Sequence, residues 1–188
     1  MDLTVLDAGV LIAVLDNRDG HHVAAIVAVR SALDRGDALV LPVSAYAETL
    51  VAPHRRGREA VATVDAFVDA LPATVESVTR AIATTAAELR ARHAGQLRLP
   101  DALVISTALV LSAGRIVTTE RGLAAAAGHR GGGRAVRTRA VRARRGERER
   151  RRPELGAAAA GLPLLRPGRQ VSEQPKPDGL GGSSRRST

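Results

Sequence analysis

The apolar and polar positions of the chain follow two alternating periods. Leu3–Leu6 is a short run of Leu, Val and Thr, the composition of a buried strand, and it ends on Asp7. Beyond Ala8 and Gly9, the spacing of Val10, Leu11, Val14 and Leu15 describes one face of a helix. A polar turn over 16–20 leads to a second helix over 21–33, closed by Gly36 and Asp37. Residues 38–41 predict a second strand, broken at Pro42, and Ser44 is placed to cap a helix over 45–51. A helix over 59–71 follows, then a weak strand over 74–78 and a helix over 80–93, capped by Thr79 and stopped by Gly95. Pro100 suits the first turn of another helix, because its missing N–H costs nothing there. The stretch 102–111 is nearly all apolar and Gly114 ends it; a fourth strand over 115–118 runs into a turn over 119–122. Strands and helices thus alternate to about Ala127, the pattern of a parallel sheet covered on both faces, an α/β/α fold.

Composition narrows the chemistry. Apolar residues make up 45% of the chain, but with one Phe and one Tyr the core must be built from Ala, Val, Leu and Ile. The absence of cysteine excludes disulfides, zinc–thiolate sites and thiol catalysis. No uncharged apolar span is long enough to cross a membrane, and acids at Asp2 and Asp7 make a poor signal peptide, so the expected location is the cytoplasm. The net charge of +9 divides unevenly. Residues 1–128 carry 12 Arg against 14 acids, whereas 129–188 carry 16 basic residues against 5 acids. The first part is the expected folded domain, mildly acidic. The rest, Arg-rich and then rich in Gly, Pro and Ser, has the composition of a disordered basic tail, within which 136–141 could add an edge strand. Such an arm would add salt-sensitive affinity for phosphates, or be inert.

Four acids share a feature that their ordinary uses do not require. Asp7 and Glu120 follow strands, while Glu48 and Asp101 lie near the N-terminal ends of helices. In a parallel sheet all four places are at the carboxyl edge, where such sheets bind ligands. Each acid also has a local explanation: Asp7 as an N-cap, Asp101 and Glu48 as partners of a helix dipole, Glu120 as a turn residue. Together they would repel one another unless cations lay between them. An oxygen-only set suits a hard divalent ion such as Mg²⁺, and such ions activate water for phosphodiester hydrolysis. Thr118, at a strand end, is a supporting candidate whose hydroxyl could fix a carboxylate. Arg55, Arg56 and Arg58, and likewise Arg90, Arg92 and Arg98, form two basic patches that read as solvated surface or, on the resemblance given next, as RNA contacts.

The blocks LTVLDAGVLIAVLD, SAYAETLVAPHRRG, LRLPDALVISTAL and IVTTERGL, in this order and spacing, resemble the signature blocks of the PIN-domain family, and within it the VapC ribonuclease toxins of toxin–antitoxin modules. The resemblance covers residues 1 to about 127. It implies a Mg²⁺- or Mn²⁺-dependent endoribonuclease, with Asp7, Glu48 and Asp101 as catalytic and metal-binding acids and Glu120 in the fourth place. It also implies an RNA substrate, a small VapB-like antitoxin as partner and a homodimer. Two positions depart from the family pattern: Glu120 stands where Asp is usual, and Gly9 where Ser, Thr or Asn is common. A catalytically weak module that binds RNA or a partner is the alternative that those departures and the basic tail allow.

Overall fold

β1 (Leu3–Leu6) is the middle strand, buried from Thr4 onward, and the rest of the chain is wound around it. The structure, a computed structural model, describes residues 2–93, 96–120, 123 and 137–141. After β1 come α1 (Ala8–Leu15), α2 (His22–Asp34), β2 (Ala38–Pro42), α3 (Val43–His54) and α4 (Arg58–Ala70). β3 (Ala73–Glu76), α5 (Arg80–Arg92), α6 (Leu99–Val110), β4 (Arg115–Thr118) and β5 (Arg137–Ala140) complete the order. The strands lie β3-β2-β1-β4-β5, and every pairing is parallel. From β1 the chain moves outward to β2 and β3, then crosses back to β4 on the other side of β1. With right-handed crossovers that reversal covers both faces, giving the expected three-layer α/β/α architecture. It also makes a topological switch point between β1 and β4, where the chain leaves the two strands toward opposite faces and such sheets form a crevice.

The core is aliphatic, as composition requires. Val5, Leu6, Leu39, Leu41, Ile105 and Ile116 are almost wholly buried, and Phe67 is the one buried aromatic among the described residues. Leu123 is buried with them. Among the described residues no helix is long and apolar enough to cross a membrane.

Several boundaries differ from the sequence reading. β2 runs through Pro42, and α3 starts at Val43 with Pro42 in the cap position, so Ser44 lies inside the helix and its Oγ has no hydrogen-bond partner. A proline can hold the cap position because its lost N–H is not needed there. α6 is turned not by Gly114 but by Ser112, at φ 54°, with Ala113 N–H donating to Ala108 O at 2.8 Å. Gly114 has another use: the Asp2 carboxylate lies where its Cβ would be. Thr79 does cap α5, its Oγ1 accepting from Ile82 N–H at 3.3 Å. β5 extends the sheet beyond residue 128, at the place where 136–141 was expected to add an edge strand, and Val141 N–H continues the ladder to Thr118 O at 2.8 Å. The Gly95 stop and the tail beyond Val141 lie outside the described residues.

Candidate active site at the carboxyl edge

Asp7 is fixed first, by backbone. Its N–H donates to Val117 O at 3.0 Å, carrying the β1–β4 ladder one residue past the strand and setting Asp7 in the crevice. It occupies the N-cap position of α1 with extended backbone, yet its side chain makes no capping bond. The carboxylate turns instead to β4, where Oδ2 accepts from Thr118 Oγ1 at 2.7 Å. Thr118 is fully buried, and its hydroxyl also accepts from Glu120 N–H at 2.9 Å. One hydroxyl therefore ties the first acid to the backbone of the fourth.

Asp7 is 6% exposed, and its pKa is pushed up to about 6. Burial is the main cause; hydrogen bonds from Thr118 and the Ala8 backbone oppose it, and the charges of Asp101 and Glu48 raise it further. The last two causes place Asp101 and Glu48 within electrostatic reach of Asp7.

Asp101 sits in the first turn of α6 behind Pro100, 15% exposed. Glu120 follows β4 and is 52% exposed. Glu48 departs from expectation. It lies in the second turn of α3 and is exposed, because α3 buries the Ala45, Thr49 and Pro53 stripe instead.

The residue that joins the set is Arg98, which the sequence reading grouped with Arg90 and Arg92. Its Nε donates to Asp101 Oδ2 at 3.0 Å and its Nη2 to Glu120 Oε1 at 3.1 Å. The hydrogen bond to Asp101, with the charges of Asp101, Glu120 and Glu48, raises its pKa. Arg98 is the counter-charge of the cluster. The signal was present, since Arg and Asp three apart at a helix start pair readily, but the crossing to Glu120 needed the fold. Arg90 and Arg92 are engaged elsewhere, with Leu97 O and Glu88.

Gly9 also has a local reason. Thr119 Oγ1 lies where a Gly9 Cβ would stand, with Asp7 Oδ2 3.6 Å from the same point. A hydroxyl thus enters this part of the site from β4's end in place of α1.

The four acids are therefore brought to one edge, but not into one shell. Among the described residues, no group of three or more His, Cys, Asp or Glu is placed to hold a metal ion. The donor set nonetheless fits a hard divalent ion in kind, being all oxygen and short of positive charge at Asp7. The family model for the PIN domain matches residues 4–129. No curated protein matches the chain.

Proposed function

The chain belongs to the PIN-domain family, and from that premise we propose that it is a metal-dependent endoribonuclease, the toxin of a VapC-type toxin–antitoxin pair. The observation that carries this reading is Asp7, a carboxylate buried at the switch point, its pKa raised to about 6, with two more acids acting on it. Mg²⁺ or Mn²⁺ would be held by Asp7 and Asp101, with Glu48 and Glu120 at the rim. When bound, such an ion supplies water activation and charge neutralisation at the scissile phosphate. The chain's own part is positional. Thr118 orients Asp7, and the low exposure of Asp7 keeps competing water from its carboxylate. Arg98 is placed to donate to phosphate oxygens when it releases Asp101 and Glu120. RNA as substrate, a VapB-like antitoxin and a homodimer follow from the same resemblance.

A second reading has its own observation. Arg98 already neutralises Asp101 and Glu120, and among the described residues no three acids are gathered, so the side chains as they stand suit a catalytically weak module that binds RNA or a partner. The donor set speaks for the first reading; the side-chain positions speak more directly for the second.

The test incubates the purified full chain with total cellular RNA in Mg²⁺, in Mn²⁺ and in EDTA, beside Asp7→Asn. Discrete, metal-requiring cleavage that vanishes in the variant is the expected result. RNA binding with no cleavage in either metal would leave the second reading standing.

A further inference from the structure

A groove of about 210 Å³ opens on a different part of the molecule, between α2 and the β4–β5 edge. Arg35, Arg115, Arg137 and Arg139 line it, over a floor that includes Ala28 and Val117. Two of these arginines are held in place. α2 ends in a left-handed Gly36 (φ 71°), with Asp37 N–H donating to Ala32 O at 3.0 Å, and this turn buries the Asp37 carboxylate. Asp37 Oδ2 accepts from Arg35 Nη2 at 2.7 Å, Arg115 Nη1 at 3.3 Å and Thr4 Oγ1 at 2.8 Å. Arg115 also donates to Asp2 Oδ2 at 3.2 Å. Burial pushes the Asp37 carboxyl up, but the hydrogen bonds and charges of Arg35 and Arg115, with Thr4, outweigh it and lower its pKa.

Arg137 and Arg139 have no acidic partner among the described residues. Among the described residues Asp2 and Asp37 offset Arg35 and Arg115, which leaves the groove lining with two arginines in excess. Arg137 is the register partner of Arg115, and Arg139 that of Val117, so all four side chains share one sheet face. Like charges directly opposite on neighbouring strands are unfavourable unless something compensates them. Charge on an edge strand also deters strand-to-strand pairing. That role does not call for arginines continuous with the pinned pair along one groove. Arg137 and Arg139 stand about 6.6 Å apart along the strand, so they can meet successive phosphates of one chain.

We propose that this groove binds the phosphate backbone of single-stranded RNA, as a site separate from the carboxyl-edge acids. Arg35 and Arg115 are preorganised walls, and Arg137 and Arg139 supply the uncompensated charge, each guanidinium suited to bidentate phosphate contact. RNA as the ligand rests on the functional reading above.

The experiment measures binding of a fluorescent single-stranded RNA to the full chain by anisotropy, in EDTA so that cleavage plays no part. The Arg137→Gln/Arg139→Gln double variant is compared with Arg185→Gln/Arg186→Gln, which removes equal charge from the tail. The groove variant is expected to lose affinity by about tenfold or more and to flatten the log–log salt slope by about 1.4, with a smaller change for the tail control. Arg137→Lys/Arg139→Lys keeps the charge and should fall between, guarding against misfolding of the glutamine variant. Inorganic phosphate added at constant ionic strength should compete only at far higher concentration than unlabelled RNA; equal competition would make the site one for the free anion and overturn the RNA assignment. Equal losses in groove and tail variants would overturn the site itself. Groove-dependent binding without metal-dependent cleavage would leave the groove standing and sink the nuclease reading. Cleavage with unchanged binding in the groove variant would do the reverse.

Discussion

Asp7 shows how a single buried acid can cost stability and still be retained. Its folded pKa of about 6 lies above the ordinary value of 3.8, so the folded state holds its proton more tightly than the unfolded chain does. Stability from this group is therefore full below about pH 4 and is lost as pH rises through 6. The shift corresponds to a penalty of up to about 3 kcal/mol at neutral pH. Asp7→Asn, whose amide oxygen can still accept from Thr118, should raise stability at pH 7.5 by an amount of that order and change little at pH 3.5. Urea melts at the two pH values check it; equal effects at both would remove desolvation as the cause. Arg98 belongs at this scale too. It is 60% exposed, so Arg98→Ala should leave stability within about 0.5 kcal/mol, while freeing Asp101 and Glu120. The variant is expected to bind Mn²⁺ more tightly by calorimetry. Weaker binding would make Arg98 part of the ion's support and not its competitor.

The elements act by aiming side chains. β1 carries Asp7 into the crevice because its ladder to β4 continues past Leu6, and α6 brings Asp101 there in its first turn, which begins at Leu99 and is suited by Pro100. α5 packs beside α6, so the stability of α5 bears on where Asp101 stands. Among the described helix starts Thr79 makes a side-chain cap where the others make none, and Thr79→Ala should cost about 1 kcal/mol by urea denaturation. An unchanged midpoint would mean that water replaces the cap. Among the elements, the strands and most helices were legible in the sequence because apolar period and Gly, Pro and Thr punctuation are local signals. The start of α3 was misread because Ser44 is a good cap by type, while Pro42, set by β2, had already taken the position.

At the scale of the whole molecule, the sheet does not stop where the regular alternation of the sequence stops. β5 pairs with β4 along its length, and Val141 is 5% exposed. A chain ending at Ala127 should therefore be less stable than one ending at Val141, by about 2 kcal/mol for the Val141 burial alone, with lost ladder bonds in addition. Thermal melts of the two truncations test this; identical curves would make β5 dispensable. The sequence by itself determined the parallel α/β alternation, an aliphatic core and the placing of Asp7, Glu48, Asp101 and Glu120 toward one edge, since each follows from period, punctuation and position after a strand or near a helix start. It also carried Thr118, because a hydroxyl at a strand end beside an acid is a short-range feature. Only the tertiary structure decided that Arg98 bridges Asp101 to Glu120, that Glu48 faces solvent, that Thr119 fills the space beside Gly9, and that four arginines line one groove. Those are contacts between residues far apart in the chain, and their partners are set by strand order and register, which no local pattern encodes.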